Sequence, residues 1–287
     1  MSDLVLHSET LSHHGSEKGT WMRFFLQPKD LASSSFCGAE FDRRAGEFFS
    51  AVMPEIINFY DIHEELIALI EAFRIGVNNG TFYTVDARGS SRFDRSLEIR
   101  IRNLVKDFFI RGKVTLMSFA NSGLLEDEAN GFSFKRFYFC NEKKFTTITA
   151  EYGNLTDSRY LPIINLMGRA NGAFLGDFNK IRGAIEHELF RLDKFTLLAG
   201  AASPTIVEPK LNGVDLSEAL THFYESILDF IEKTTAYFFG IMGELKSPWH
   251  QLHVRHDFNY SKSYYKYIFS LGGMPIGGGD TTRCLFD

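Results

Sequence analysis

"RFDRSLEIRIRNLVKDFFIRGKVTLMSFA", residues 92–120, decides the fold class. Leu97, Ile101, Leu104, Phe108 and Thr115 follow one another at +4, +3, +4 and +7. That rhythm keeps one face of a helix with about 3.6 residues per turn apolar, so it predicts a single long helix with a buried stripe. Gly112 is a local weak point, since a glycine inside a helix costs about 1 kcal/mol relative to alanine.

The same rhythm recurs on both sides. Phe41, Phe48, Phe49 and Val52 form one stripe, and after Pro54 a second runs through Ile57, Leu66, Leu69, Ile70 and Phe73, making residues 38–75 helical. Asp215–Leu216–Ser217–Glu218 opens a further helix, which Leu220, Phe223, Ile227, Phe230, Ile231 and Phe238 carry to about 241. Residues 158–200 read as two helices with a break near Asn171–Gly172, and residues 203–213 as a proline-containing linker. Asn79–Gly80 and a Ser/Gly cluster mark a loop over 76–91. "FSFKRFYFC" (132–140) and "KFTTITAEY" (144–152) are rich in aromatic and β-branched residues around a short polar link, which predicts a β-hairpin. "TWMRFFLQ" (20–27) reads as a short strand, "SKSYYKYIF" as a short aromatic helix, and "GGMPIGGG" as a Gly-rich end.

The expected class is mainly α: a helical bundle with an inserted β-hairpin. Residues 1–91 form an N-terminal segment with two helices packing on the bundle. Residues 92–245 form the bundle with the hairpin at 132–152, and 246–287 a C-terminal aromatic and Gly-rich extension.

Phenylalanine is frequent, with 29 in 287 residues, and its large apolar ring needs no polar partner. Much of it belongs in a core or a buried oligomer interface. A net charge of −5 argues against non-specific nucleic-acid binding, leaving local basic patches as the only place for such a site. Cys37, Cys140 and Cys284 are far apart and lack CxxC spacing, which fits a reducing cytoplasm rather than a disulfide framework or structural zinc site. The N-terminus lacks the basic-then-apolar order of a signal peptide. No apolar run approaches the roughly 20 residues needed to span a bilayer, so no membrane partner is expected. Phosphate-loop, dinucleotide and GxSxG patterns are missing. "WHQLHVRHD" (249–257) would place His250 and His253 on one face of a helix, with His256 and Asp257 following. Pro248 ahead of it and the lack of HExxH favour a surface or interfacial cluster over a metal site.

"FNKIRGAIEHELFRLDKF", residues 178–195, bears on function. On a continuous helix Phe174, Phe178, Ile181, Ile185, Leu189 and Leu192 share one stripe. Arg182 sits about 60° off that stripe and His187 about 160° off, so the two stand about 140° apart around the axis and about 7.5 Å along it. Lys180, Arg191 and Lys194 fall near His187 as a basic stripe. A second basic stripe, Arg95, Arg102, Lys106 and Lys113, runs at +7, +4 and +7 along residues 92–120, and the span 86–113 holds eight Arg/Lys against four Asp/Glu. Such stripes suit phosphate binding or a solvated helix face. Glu186 is four residues from Arg182, which allows an i,i+4 ion pair.

The Arg-x4-His of "RGAIEH", late in a helical bundle, resembles the motif of the HEPN superfamily, Arg and His separated by four to six residues. The resemblance covers residues 92–241 at most. It implies a helical bundle that dimerises so that two motifs meet in one cleft, and endoribonuclease activity without metal or other cofactor, as in toxin–antitoxin, abortive-infection and CRISPR-linked systems. An antitoxin or defence-system partner would follow. His187 would accept the 2′-hydroxyl proton and Arg182 would clamp the phosphate. RNA would lie along Lys180, Arg191, Lys194, Arg95, Arg102 and Lys106. Other members of the superfamily are non-catalytic binding modules for protein or RNA. Gly183 stands where active members often carry a polar residue, a departure that bears on catalytic competence.

Overall fold

The stripe in residues 92–120 lies on one uninterrupted helix, Ser96–Asn121, with Ile101, Phe108 and Thr115 buried. The computed structural model describes residues 24, 27–31, 39–85, 91–127, 130–137, 146–147, 150–151, 158–199, 204–247, 249–255, 266–271, 274–275 and 281–283. Its long helices, in chain order, are α1 (Ala39–Glu47), α2 (Met53–Asn78), α3 (Ser96–Asn121), α4 (Leu161–Ala170), α5 (Gly176–Glu186) and α6 (Leu216–Lys246). A π turn, Phe48–Val52, joins α1 to α2, and another, Asn171–Leu175, joins α4 to α5. The break expected near Asn171–Gly172 is therefore a widened turn in a continuous helical run. Pro54 lies in the first turn of α2, directly after the π turn.

α2 packs along α3 and against α6, α3 also packs on α5, and α4 rests on α6. Phe59, Phe108, Phe109, Phe178 and Phe223 are buried where these helices meet. Ring centroids lie 4.8 Å apart for Phe59–Phe108, 5.1 Å for Phe109–Phe178 and 5.8 Å for Phe178–Phe223. Each buried ring contributes about 2–3 kcal/mol, and tilted pairs add about 0.5–1.5 kcal/mol. Gly112 lies at the same crossing. A Cβ there would stand 2.8 Å from the Phe178 ring and 3.0 Å from Phe59, so the expected weak point is where rings from two neighbouring helices press on the α3 backbone.

A polar group ties down the chain beyond α3. Buried Arg44 donates to the carbonyls of Leu124 and Glu126, 2.5 Å each, and to Glu40. The Tyr160 hydroxyl donates to the buried carboxylate of Asp127, and Phe132 stacks on the Tyr160 ring at 4.2 Å. Burial and the adjacent Asp127 push the Tyr160 phenol far above its ordinary range, so it stays protonated as the donor.

The strands form small antiparallel units. β1 (Tyr83–Val85) pairs with β2 (Ser91–Phe93), β3 (Glu126–Asp127) with β4 (Phe132–Ser133), β5 (Thr196–Ala199) with β6 (Pro204–Val207), and β7 (Lys210–Leu211) with β8 (Val214–Asp215). β9 (His250–Arg255), β10 (Tyr267–Leu271), β11 (Met274–Pro275) and β12 (Thr281–Arg283) form a sheet in the order β11-β10-β9-β12, with β9 against α6.

The class is mainly helical with small hairpins, as the sequence indicates, but several local readings change. Phe132–Ser133 pairs backwards with Glu126–Asp127, and of the second expected hairpin arm residues 144–145, 148–149 and 152 lie outside the described residues. Phe134–Phe137 is a 3-10 turn, and the described residues Thr146, Thr147, Ala150 and Glu151 are helical. The loop read over 76–91 holds the end of α2 and β1. The turn at Asn79–Gly80 is real: Gly80 takes φ 75°, Gly80 N–H donates to Val77 O and Thr81 N–H to Gly76 O, which closes the helix. The linker at 203–213 carries β6 and β7. Phe24 and Gln27, read as strand, are helical; Tyr267, read as helix, is strand. One contiguous apolar core runs from Phe24 to Phe269, across the expected boundaries at 91/92 and 245/246. Among the described residues, no helix is long and apolar enough to cross a membrane.

Candidate functional site

α5 ends at Glu186, the ninth residue of the "FNKIRGAIEHELFRLDKF" stretch that reads as one helix. His187 is the C-cap at φ −94°, ψ 13°, and Glu188 takes the left-handed φ of 56°. Glu188 N–H donates to Ile185 O at 3.2 Å and Leu189 N–H to Ala184 O at 2.8 Å, the pair of bonds that closes a helix in a Schellman motif. The chain turns because the next apolar residues have a better place to go. Phe195 is buried with its ring edge-on to Phe73 at 5.1 Å, and Phe190 and Leu192 pack against the core. A helix continued to Phe195 would carry it about 13 Å beyond Glu186 along the α5 axis. Leu189, counted in the apolar stripe, is instead 72% exposed.

Arg182 and His187 stay apart, as the angle of about 140° between them on a helix indicates. Arg182 lies against α5, its side chain only 18% exposed, and donates to Glu186 Oε2 at 2.5 Å. Lys113 of α3 reaches the other oxygen, Oε1, at 3.0 Å. The hydrogen bond from Arg182, then that from Lys113, holds the Glu186 carboxyl below its ordinary pKa, so it remains an anion between two cations. The Arg182 Nε is buried without a hydrogen-bond partner. His187 is exposed; its backbone amide donates to Gly183 O at 3.1 Å, and its ring meets no partner among the described residues. No hydrogen bond or ring contact joins Arg182 to His187 there. A phosphate clamp needs a guanidinium free to turn to the substrate, whereas this one holds a carboxylate.

The basic stripes are compensated only in part. The stripe expected beside His187 does not form, since Arg191 and Lys194 lie beyond the helix. Arg191 donates to the carbonyls of Glu188 and Phe190 at 3.0 and 3.1 Å, and Lys180 pairs with Asp177 at 3.1 Å. The stripe on α3 does form. Arg95 and Arg102 close on the buried carboxylate of Glu98 at 3.2 and 3.0 Å. Lys106 and Lys194 are exposed, with no ion pair among the described residues.

The histidine segment is also rearranged. His250 and His253 belong to β9, where positions three apart point to opposite faces. His253 is buried with its Nε2 2.9 Å from the Ser270 hydroxyl, while His256 and Asp257 lie outside the described residues. Among the described residues, no group of three or more His, Cys, Asp or Glu is placed to hold a metal ion. Tyr267 of the aromatic segment is buried and offers no ring to solvent. An open depression of about 390 Å³, lined by Ser158, Arg159, Pro162, Ile241, Glu244 and Leu245, contains neither member of the candidate pair.

One surface went unread in the sequence although its signal is there. Ile99 and Ile110 lie opposite the core stripe of α3 and are 61% and 42% exposed. Searches of known protein families, curated proteins and solved structures found no match to this chain.

Proposed function

We propose that this chain is a non-catalytic helical module that binds a protein partner. The observation that carries the reading is the Glu186 carboxylate, which occupies Arg182 and Lys113 while His187 stands apart as the C-cap of α5. In this arrangement Arg182 braces the Glu186 carboxylate of its own helix, which Lys113 reaches from α3, and the histidine ring has no neighbour among the described residues to orient it as a base. Arg95 and Arg102 share the Glu98 carboxylate and Lys180 pairs with Asp177, which takes up part of the positive surface an RNA groove would use. The widely spaced cysteines favour the cytoplasm as its location.

The second reading is an HEPN-like, metal-independent endoribonuclease acting as a homodimeric toxin or antiviral effector. It draws on the Arg-x4-His spacing and on the exposed ring of His187, and needs Arg182 to exchange Glu186 for phosphate in a cleft completed by a second copy. Incubating wild type, Arg182→Ala and His187→Ala with total RNA and EDTA separates the readings. The binding-module reading expects no 2′,3′-cyclic phosphate ends above background from any of the three. Cleavage by wild type that drops at least about tenfold in both variants would establish the nuclease.

A further inference from the structure

α3 turns a built face to solvent. Ile99 and Ile110 lie about three turns and roughly 16 Å apart along the axis, and within about 20° of each other around it. Exposed Asn103 and Lys106 stand between them, and half-buried Val114 and Met117 continue the strip. A lone exposed isoleucine is ordinary on a protein surface; two in register on one helix face make a strip. One flank of that strip is basic, with Arg95, Arg102, Lys106 and Lys113 along it. Lys106 has no ion pair among the described residues, and Lys113 and Arg182 share the single carboxylate of Glu186. The flank thus keeps surplus positive charge on a chain whose net charge is −5. On the other flank, Arg100 pairs with Glu65 at 2.5 Å, and Asp107 is exposed.

We infer that this face receives an acidic amphipathic helix of a partner protein. Its apolar residues cover Ile99 and Ile110, and its carboxylates meet Lys106 and the basic flank. The inference rests on the binding-module reading and names its surface and partner class. Charge decides the occupant: a second copy docked antiparallel on a two-fold axis would bring the basic flanks together, and one docked parallel would set each basic flank against the flank where Arg100 already holds Glu65, whereas an acidic helix gains at each contact. RNA would find the cations but leave the isoleucines without a partner, and the strip offers no aromatic ring for a base to stack on. Apolar anchors in line along one helix suit a second helix laid beside it.

The test uses the full chain and a labelled synthetic helical peptide of about eighteen residues, with leucines at i, i+4, i+7 and i+11, glutamates flanking them and alanine elsewhere. Fluorescence anisotropy compares it with the same peptide carrying lysine for glutamate. The acidic peptide is expected to bind at least about tenfold more tightly than the basic one. Ile99→Asp, Ile110→Asp and Lys106→Glu are each expected to weaken it at least about fivefold, with unchanged circular dichroism. Equal binding of the two peptides, or wild-type affinity in the isoleucine variants, overturns the inference. So does a single-stranded RNA oligonucleotide that binds more tightly than the peptide and responds to Lys106→Glu but not to Ile99→Asp. RNA cleavage by the wild type in EDTA would instead remove the non-catalytic reading, so the two failures are distinguishable.

Discussion

Glu188 occupies a conformation that suits glycine. Its φ of 56° costs a residue with a Cβ about 1 kcal/mol, and its side chain is exposed. Glu188→Gly is expected to stabilise the protein by about 0.5–1 kcal/mol in urea unfolding, because it relieves that position and keeps the carbonyl that Arg191 uses. Gly112 gives the opposite sign. Helix propensity alone would have Gly112→Ala gain about 1 kcal/mol. The new methyl would press on Phe178 and Phe59, both fully buried, and overpacking of this kind costs about 1–3 kcal/mol. The substitution is expected to lower the urea midpoint, and a rise would mean that these rings can retreat. Neither residue's environment is written locally: nothing after His187 signals a helix end, and nothing around Gly112 names the ring it faces.

At the scale of elements, α6 begins with help from outside itself. Asp215 is its N-cap residue, but makes no side-chain cap bond. The buried Glu208 instead accepts the Ser217 amide at 2.8 Å on one oxygen and takes Arg74 of α2 on the other. Glu208→Gln is therefore expected to cost about 1–2 kcal/mol, the range of a lost cap, because Arg74 remains partly in water. Asp215→Ala should cost less than about 0.5 kcal/mol by the same measurement, although the sequence points to Asp215 as the start. The long helices themselves were legible: the apolar rhythm placed α2, α3 and α6 because each buries a face along most of its length. The short strands were not. Phe132–Ser133 pairs with Glu126–Asp127, and the aromatic run that looked like a hairpin arm supplies Phe132 and Phe134 to the core.

Across the whole molecule, His63 lies where α2, α3 and α6 meet. Its ring stacks on Tyr224 of α6 at 4.2 Å and lies 6.3 Å from Phe108 of α3. Its Nε2 is 3.4 Å from the Thr221 hydroxyl and its Nδ1 is 3.6 Å from Glu64 of its own helix. Burial lowers its pKa from the ordinary 6.5, and the Glu64 carboxylate offsets this only in part. The unfolded chain therefore takes up the proton first as pH falls, so stability is complete above 6.5 and declines below it. Urea midpoints measured from neutral pH to pH 5 are expected to fall more steeply for wild type than for His63→Phe, which keeps the aromatic contact and cannot charge. Parallel curves would show that His63 does not sense acid.

The sequence by itself determined the helical class, the faces of α2, α3 and α6 that go inward, the turn at Asn79–Gly80 and the basic stripe on α3. These depend on periodicity and on local backbone preference, which a short stretch of chain carries in full. It also held the two isoleucines opposite the α3 core stripe. The tertiary structure alone decided that α5 stops at Glu186 and that Arg182 and Lys113 share one carboxylate. Those outcomes come from competition between distant groups: Phe195 reaching Phe73, and a lysine on α3 reaching a glutamate on α5. A motif spacing records how many residues separate an arginine from a histidine, but packing elsewhere decides what each side chain meets.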